Sequence, residues 1–380
     1  MGHRTDATAP IPLTWPQVHA FRMARHHLVR PATRDQMVRV AGDVCGIQAQ
    51  VMSAAELALR ARVGGLRSAD VPDALWRKRT LVKTWCMRGA VHLLPSEDLL
   101  PVLRALRQPE SRSFSWLTRG GLSVQAIETS VQAIVRALRD GPRTRRELAE
   151  HVGKTVGATA RKWVEHSWGG VVRVACARGL VCFGPDRGNE ITFTLVEDWL
   201  PSARAPTDFA ATVGLLTRYL GAYGPATPAD YGRWTSLTSG DVVEAWRLAA
   251  GDLVRTVAAG REGWMVRGDP PAAKRVRLDG PVVRLLPVFD TFLLGHRDKG
   301  HLVDAAHYKR VYRKAGWISQ AILVDGRVAG VWTHRLRGER LEIILDPFRP
   351  LPRPVREGIQ SEAQDVSRFL EAARLDLRFT

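Results

Sequence analysis

The stretches DGPRTRRELAEH, residues 140–151, and GLVCFGPDRGNEITFTL, residues 179–195, carry the local signals that decide the fold. In the first stretch, Thr144 and Glu147 have the spacing of a capping box, in which each side chain bonds the backbone N–H of the other residue. This pattern predicts a short helix over residues 145–151.

An amphipathic stretch over residues 162–178 predicts a second helix, with Gly179 as its left-handed stop. Residues 180–183 are apolar and residues 191–195 alternate between apolar and polar, which predicts two strands joined by a turn at 186–189. The order helix, helix, hairpin is typical of a winged helix, a variant of the helix-turn-helix.

The same order recurs on either side of this segment. Thr227 as N-cap and Pro228 at the first helical position predict a helix start. In this third copy, a further helix is predicted at 239–250, and strands at 253–257 and 264–266 enclose a glycine-rich wing. In the first copy, helices are predicted at 15–27, 34–43 and 54–61. Its strands are predicted at 81–86 and 90–94, with a turn at Arg88-Gly89.

Beyond residue 281 the pattern changes to strands, with a hairpin turn at Asp325-Gly326 and a final helix at 356–373. The predicted strands are 282–289, 321–324, 328–332 and 341–345. The fold class predicted is therefore α+β and helix-rich, with three tandem winged-helix motifs followed by a C-terminal β-hairpin region. The predicted domains are 12–120 (winged helix 1), 121–205 (winged helix 2), 206–280 (winged helix 3) and 281–380 (β-rich region and final helix).

The charge of the chain predicts a polyanionic partner. The net charge is +18 over 380 residues, and such an excess attracts nucleic acid through phosphate neutralisation. Residues 1–120 carry 18 basic and 9 acidic groups, residues 121–280 carry 21 and 17, and residues 281–380 carry 17 and 12. Codon bias toward arginine would spread the charge evenly, so this distribution favours a partner surface built from the two ends.

The sequence predicts a cytoplasmic protein that holds no metal and no other cofactor. The first sixteen residues lack the apolar core of a signal peptide, and no apolar run reaches the length of a membrane span. The cysteines form no C-x-x-C pair and are interpreted as reduced core residues, and the histidines show no metal-ligand spacing. The cysteines are Cys45, Cys86, Cys176 and Cys182.

Two glutamines, Gln48 and Gln50, stand between two predicted helices. Gly46 ends the first helix, and Ser53 with Glu56 has capping-box spacing for the next. An extended segment between them would place both amides on one face, because i and i+2 side chains point the same way in a strand. The alternative is a surface turn on which the two glutamines have no special role.

Several spaced motifs resemble the AlkZ family of DNA glycosylases, over about residues 15–375. The stretch 44–50, VCGIQAQ, with ALRAR at 58–62, resembles the family's Gln-apolar-Gln region. The stretch 84–93, TWCMRGAVHL, resembles its Trp-x-x-Arg-Gly-Thr-x-His segment, with Ala90 where threonine is usual. LPVFD at 286–290 and DGRVAGVW at 325–332 resemble its C-terminal motifs.

The resemblance implies a C-shaped scaffold of three tandem winged helices and a monofunctional glycosylase that hydrolyses the N-glycosidic bond of N3- or N7-alkylated purines. It implies that Gln48 and Gln50 are the catalytic pair, and that bulky natural-product adducts or interstrand crosslinks can be substrates. The expected partner is double-stranded DNA, bound by a nucleoid-associated monomer that needs neither a membrane nor an obligate protein partner.

Basic and polar clusters are the candidate DNA contacts, with solvated surface or structural roles as the alternative for each. Arg88 and His92 bracket the first wing turn, and a basic hairpin tip over 332–340 could enter a groove. Lys309, Arg310, Arg313 and Lys314 have the spacing of one helix face. The DNA-binding residues predicted are Arg88, His92, His296, Arg297, Lys299, His334, Arg335 and Arg337.

Two other functions compete with a glycosylase. A winged-helix regulator would bind DNA without catalysis, but it would need a dimerisation surface and base-reading recognition helices. A resistance protein could instead sequester a natural product without cutting DNA. Four carboxylates, Asp43, Glu56, Asp290 and Asp298, are alternatives for a direct role in the chemistry, and most of them are expected to be helix caps or ion-pair partners.

Overall fold

The computed structural model describes residues 9–107, 114–200 and 204–380. Within these residues, no helix has the length and apolar character needed to cross a membrane. The helices are α1 (Trp15–Arg25), α2 (Met37–Asp43), α3 (Met52–Arg60), α4 (Asp70–Pro72), α5 (Leu99–Ala105), α6 (Ser115–Arg119), α7 (Val124–Leu138), α8 (Arg145–Thr155), α9 (Ala158–Glu165), α10 (Gly170–Ala177), α11 (Val196–Trp199), α12 (Asp208–Tyr223), α13 (Pro228–Thr235), α14 (Ser239–Leu248), α15 (Asp269–Arg275), α16 (Tyr308–Val311) and α17 (Arg353–Phe369).

The strands are mostly short and gather into small sheets, so the predicted α+β class is confirmed. The strands are β1 (Ile11–Leu13), β2 (Ile47–Gln48), β3 (Leu81–Trp85), β4 (Val91–Pro95), β5 (Arg143–Thr144), β6 (Val181–Arg187), β7 (Glu190–Leu195), β8 (Leu253–Ala258), β9 (Arg261–Val266), β10 (Val283–Leu286), β11 (Ala321–Val324), β12 (Arg327–Arg337), β13 (Arg340–Pro347) and β14 (Arg374–Phe379).

The chain divides into two compact units. The first combines the described residues up to Ser68 with Val213–Thr380, and the second is Ala69–Thr212. The finer division into four domains stays a prediction.

The second unit contains the winged-helix order at 124–195. Helices α7, α8 and α10 precede the β6–β7 hairpin, and β5 joins the sheet in the order β5-β7-β6. The capping box of Thr144 and Glu147 is confirmed: the Thr144 backbone N–H donates to Glu147 at 2.7 Å, and the Glu147 N–H donates to Thr144 Oγ1 at 3.2 Å. The left-handed stop at Gly179, with φ +72°, is confirmed as well.

The predicted continuous helix at 162–178 is wrong, because the chain breaks between α9 and α10. Gly169 and Gly170 have φ of +102° and +50°. A Cβ on Gly170 would lie 1.5 Å from the Trp163 carbonyl oxygen, so the backbone passes where only glycine fits. Two consecutive left-handed residues cannot continue a right-handed helix, and this pair therefore sets the boundary.

In the first unit, α13 and α14 lead to the antiparallel β8–β9 pair, and β1 pairs with β8 in parallel. Thr227 accepts a hydrogen bond from the Asp230 N–H at 3.1 Å and Pro228 opens α13, as predicted. The C-terminal sheet has the order β10-β11-β12-β13-β14. Asp325 and Gly326, with φ of +49° and +84°, form the predicted turn between β11 and β12.

The C-terminal region differs from prediction in several places. Strand β10 is shorter than expected and ends at Leu286, directly before Pro287, which cannot donate to a ladder. Strand β12 is longer than expected and continues to Arg337, and the final helix ends at Phe369. Strand β14 was not predicted. It follows α17 after a left-handed Glu371, with φ +55°, and pairs in parallel with β13. Residues 374–379 alternate between polar and apolar at every position, so the strand pattern was present in the sequence and was missed.

A buried ion pair ties the end of α3 to the C-terminal sheet. Arg62 donates to both carboxylate oxygens of Asp290, at 2.8 and 2.7 Å, and both side chains are 0% exposed. The same carboxylate accepts from the Phe292 backbone N–H at 2.9 Å. Close by, Arg60 donates to Glu362 at 3.2 Å and to Asp365 at 3.0 Å, both on α17. These contacts fix α3 against the sheet and α17.

Asp290→Asn is therefore expected to lower the free energy of unfolding by about 3–5 kcal/mol, because it leaves the Arg62 charge buried without its partner. Urea unfolding at neutral pH measures the loss. Asp298→Asn is the matched control, since Asp298 pairs with Arg261 while 59% exposed, and it should cost no more than about 1 kcal/mol. Equal losses for both variants would contradict this assignment.

Candidate active site

The loop between α2 and α3 is shaped by two consecutive left-handed residues. Cys45 has φ +59° and Gly46 has φ +96°. The Gly46 N–H donates to the Ala41 carbonyl at 2.7 Å, which closes the C-terminal end of α2. The Tyr223 hydroxyl donates to the Val44 carbonyl at 3.1 Å. The reversal of the chain at Cys45 and Gly46 is held in place by the Tyr223 hydrogen bond, and it determines where the extended segment begins.

The extended segment carries the glutamine pair. Ile47 and Gln48 form β2, in which Gln48 is 9% exposed, while Gln50 is exposed. Ile47 and Ala49 are buried and anchor the segment in the core. The extended segment was predicted over 47–52: the extended backbone is confirmed at 47–48, so the segment is not a continuation of α2, whereas Met52 already belongs to α3.

The predicted capping box of Ser53 and Glu56 is wrong. Helix α3 begins at Met52, and its N-cap is Val51, whose side chain makes no capping bond. Ser53 therefore lies inside the first turn. The helix starts two residues after Gln50, so Gln50 lies next to the N–H end of α3.

The carboxylates near the motifs have structural partners. Asp43 bonds His27 at 2.9 Å and lies 3.6 Å from Arg39. The Asp290 carboxylate accepts hydrogen bonds from Arg62 and from the Phe292 backbone N–H. Asp298 pairs with Arg261 and accepts from the Gly300 N–H, and that backbone bond is the main cause of its lowered pKa. The expectation that these three are caps or ion-pair partners is confirmed.

Arg88 and His92 lie together on the β3–β4 hairpin of the second unit. Arg88 is half-buried with φ +57°, and its terminal NH2 nitrogen is 3.5 Å from His92 Nε2. His92 is only 1% exposed, and its Nδ1 lies 3.0 Å from the Ala90 carbonyl. Burial, followed by the Arg88 charge, lowers the pKa of His92 to about 3. A neutral ring donating from Nδ1 presents Nε2 as an acceptor for Arg88.

The three candidates at 296–299 are not equivalent. His296 is buried, 5% exposed, with Nε2 at 2.8 Å from the Tyr223 carbonyl, so it is a poor fit to the predicted direct DNA contact. Lys299 donates to the Leu293 carbonyl at 2.9 Å and lies over the Tyr312 ring. Arg297 alone of the three is exposed.

The basic hairpin is formed by β12 and β13, whose register pairs Arg337 with Arg340 across the tip. Arg335 and Arg337 are exposed and lie on the outward-facing positions of β12, because even positions such as Val328 and Trp332 are buried. His334 is half-buried, 2.9 Å from the Gln320 amide nitrogen, and stacks on Trp332. Burial lowers the pKa of His334.

The prediction of one basic helix face over 309–314 is wrong. Helix α16 contains only Tyr308–Val311. Ala315, with φ +55°, lies in a separate turn that follows Arg313. The four basic residues therefore do not share a face.

The cysteines form no disulfide: Cys45, Cys176 and Cys182 are buried and Cys86 is half-buried. Burial raises the pKa of Cys86 and of Cys182 to about 12, so neither is a thiolate at neutral pH. No group of three or more His, Cys, Asp or Glu side chains suited to a metal ion occurs in residues 9–107, 114–200 and 204–380.

Comparison with known proteins agrees with the resemblance. The family model described as DNA glycosylase AlkZ-like matches residues 41–369. The chain belongs to this family. It is 34% identical to the interstrand DNA cross-link repair glycosylase of Streptomyces sahachiroi, over 96% of this chain and 99% of the relative. The solved structure of Streptomyces sahachiroi DNA glycosylase AlkZ superposes with a TM-score of 0.85 at 30% identity, covering 97% of this chain and 100% of that one.

Membership in the AlkZ-like family makes the protein a DNA glycosylase, an enzyme that acts on DNA. Sequence reasoning missed one group in this AlkZ-like chain: the buried Arg22 with His19 and His301. These residues contact partners that lie about 200 positions or more away in the sequence; Arg22, for example, donates a hydrogen bond to the Gly224 carbonyl. The only local signal was the recurrence of histidine at 296 and 301.

Because His92 is buried and neutral, we expect the folded protein to lose stability at acid pH. Between its ordinary pKa of 6.5 and about 3, the unfolded chain binds a proton that the folded protein does not. The free energy of unfolding therefore falls as pH falls through this window, by up to about 1.4 kcal/mol per pH unit for one proton.

His92→Gln should reduce that slope by up to one proton, measured by urea unfolding at intervals from pH 7 to pH 4. His151→Gln, at an exposed site on α8, should keep the slope of the unmodified protein. A slope unchanged in both variants would show that His92 is not held neutral.

Proposed function

We propose that this protein is a monofunctional glycosylase that hydrolyses the N-glycosidic bond of N3- or N7-alkylated purines in double-stranded DNA, with Gln48 and Gln50 as the catalytic residues. The observation that carries the proposal is the Ile47–Gln48 strand, anchored by buried Ile47 and Ala49, which places the buried Gln48 and the exposed Gln50 directly before the start of α3. Asp43, Asp290 and Asp298, the acidic candidates in the surrounding motifs, are engaged elsewhere.

Neutral amides suit this substrate. Ordinary glycoside hydrolysis needs an acid for the leaving group and a carboxylate for water. An N3- or N7-alkylpurine already carries positive charge, so it departs without protonation. The remaining task is to position water and to stabilise an electron-poor C1′. The amide oxygens of Gln48 and Gln50 accept a hydrogen bond from the water and direct their dipoles at the sugar.

The same residues favour hydrolysis without a lyase step. A lyase needs an amine that attacks C1′ and forms a Schiff base, and residues 41–60 contain no lysine. Water is then the nucleophile, and the products are free base and an abasic site, which enters base excision repair.

We propose that Arg335, Arg337 and Arg297 contact DNA phosphates, since all three are exposed on the first unit. Arg88 is a further phosphate contact on the second unit. The buried His92 and His296 and the half-buried Lys299 act through their neighbours: His92 faces Arg88, and the other two fix the 296–299 segment by bonds to backbone carbonyls. His334 supports the hairpin from Gln320.

We propose that bulky adducts are substrates too, including interstrand crosslinks made by DNA-alkylating natural products. The support is the relative of 34% identity, whose name is interstrand DNA cross-link repair glycosylase. An enzyme of this kind would give self-resistance to a producing cell. It would work as a monomer in the cytoplasm, on the nucleoid.

Replacement of either glutamine tests the catalytic assignment. Gln48→Ala and Gln50→Ala should each lower the single-turnover rate of base release by about 10²–10³, because each removes one oriented dipole that acts in the transition state. The measurement is free 7-methylguanine released from an N7-methylguanine duplex. Gln360→Ala, exposed on α17, is the matched control and should retain the full rate.

The same assay separates the competing functions. If both glutamine variants release base at the unmodified rate, the catalytic assignment is wrong. A sequence-specific mobility shift with no base release by the unmodified protein would instead identify a regulator. Binding of an alkylating natural product without DNA affinity would identify a sequestering protein.

Arg335→Ala and Arg337→Ala test the hairpin. Each should weaken binding to any duplex sequence and should reduce the slope of log affinity against log salt by about one, because each removes one phosphate contact. Fluorescence anisotropy of an undamaged labelled duplex between 50 and 200 mM salt measures both effects. Arg247→Ala is the control, since Arg247 is exposed but paired with Glu244 at 2.6 Å. A salt slope unchanged in the hairpin variants would exclude phosphate contact by this hairpin.

A further inference from the structure

The first unit contains a cavity of about 330 Å³ that is separate in sequence from the Gln48 loop. Helix α1 contributes Trp15 and Arg22, strand β9 contributes Arg261, and the segment between β10 and β11 contributes His296 and His301. Residues at 225–230, around the start of α13, line a further wall. The walls therefore come from four separate parts of the chain.

Arg22 is the unusual residue of this cavity. Its side chain is buried, 3% exposed, and donates to the carbonyls of Gly224 at 3.2 Å and Pro225 at 2.6 Å. Its NH1 nitrogen is buried and has no hydrogen-bond partner in the described parts of the chain. Burial lowers the pKa of Arg22 to about 10, so the guanidinium stays charged at neutral pH. Asp230 is the acidic group that acts on this charge, but its oxygens accept bonds from other groups. A buried guanidinium nitrogen left without a hydrogen-bond partner is costly and favours a bound anion.

Three buried histidines surround this charge. His296 and His301 lie edge to face with ring centroids 4.6 Å apart, and His19 is 6.5 Å from His301. One ring nitrogen of each is buried and lacks a hydrogen-bond partner among the described residues: Nε2 of His19, Nδ1 of His296 and Nε2 of His301. The Trp15 ring stacks on His301 at 5.4 Å.

The acidic side chains of the walls are already engaged. Asp230 accepts from the N–H groups of Thr227 at 2.9 Å and Arg297 at 2.7 Å. Asp298 is bonded to Arg261, and Glu262 accepts from Arg255 at 2.7 Å. The unmet groups of this cavity are therefore a cation and ring nitrogens that can donate once the rings are protonated, and the ligand that matches both is an oxyanion.

We propose that this cavity binds a phosphate group, with Arg22 NH1 as the charged donor and His296 and His301 as further donors. The phosphate belongs either to a small phosphorylated molecule or to the DNA backbone, since the same chemistry recognises both. The site uses neither Gln48 nor Gln50, so it does not rest on the proposed catalytic mechanism.

Proton uptake should accompany binding. Burial first, and Arg22 second, lowers the pKa of His19 to about 4 and the pKa values of His296 and His301 well below the ordinary range. An anion beside the rings favours their charged form and raises these pKa values. The other charges facing the rings are Arg261, Arg297, Lys299, Arg327, Asp230, Glu262 and Asp298.

Sulfate is the probe for this coupling, because it remains a dianion from pH 8 to pH 5.5 whereas phosphate titrates in that range. Isothermal titration of the full chain should show saturable binding that tightens as pH falls, with uptake of protons from the buffer. His301→Gln should reduce the pH dependence. No saturable binding at any of these pH values would overturn the proposal.

Arg22→Met should weaken sulfate binding by at least about tenfold, the effect of one lost charged hydrogen bond. The matched control is Arg353→Met, which removes the same charge from an exposed residue paired with Glu357, and it should bind sulfate as the unmodified protein does. Equal affinity in both variants would mean that sulfate binds to the general positive surface, and the proposal would be wrong. Circular dichroism reports whether Arg22→Met folds; if it does not, His301→Gln and the proton uptake decide.

Competition identifies the source of the phosphate. Displacement of sulfate by ribose 5-phosphate, but not by an undamaged duplex, assigns the site to a small phosphorylated molecule. Displacement by the duplex, lost in Arg22→Met, assigns it to the DNA backbone. Displacement by neither compound, nor by inorganic phosphate, would contradict a phosphate site.

Discussion

The ion pair of Arg62 and Asp290 connects the candidate active site to the rest of the first unit. Helix α3 starts directly after the glutamine segment and ends two residues before Arg62, so a fixed Arg62 fixes the helix and, through it, the position of Gln50. The pair is bidentate and fully buried, a geometry that tolerates little displacement. Arg60 adds bonds to α17 on the same turn. A nine-residue helix held at its far end in this way is a rigid support for a catalytic loop.

The two ends of the glutamine segment are held by different forces. On the α2 side, Cys45 and Gly46 reverse the chain and Tyr223 holds the Val44 carbonyl. On the α3 side, apolar burial of Ile47 and Ala49 replaces the side-chain cap that Ser53 would have supplied. Helix α3 has no acidic residue in its first turn, so the partial positive charge of its N-terminal end beside Gln50 is not neutralised by a neighbouring carboxylate of that turn.

Most of the local signals gave accurate predictions. The capping boxes at Thr144 and Thr227, the Gly179 stop and the Asp325-Gly326 turn each depend on residues within a few positions, and each is present. The Ser53–Glu56 spacing is an exception, because α3 begins at Met52, before Ser53, and its N-cap is Val51. Other conformations depend on packing that the sequence pattern does not contain: the break before α10 depends on Gly170 passing the Trp163 carbonyl.

The site residues show the same limit in a different form. Sequence spacing placed Arg88 and His92 on one hairpin, and the structure has them there, but spacing carries no information about burial. From the sequence, a histidine in a basic segment is predicted to be a DNA-binding cation. In the structure, burial beside an arginine lowers the pKa of His92 and of His296, so both rings are neutral. Burial therefore separates the basic residues of this protein into two classes. Exposed arginines such as Arg335 and Arg337 supply charge to a surface, while the buried histidines are neutral and orient their neighbours, and an anion bound beside them would favour their protonated form.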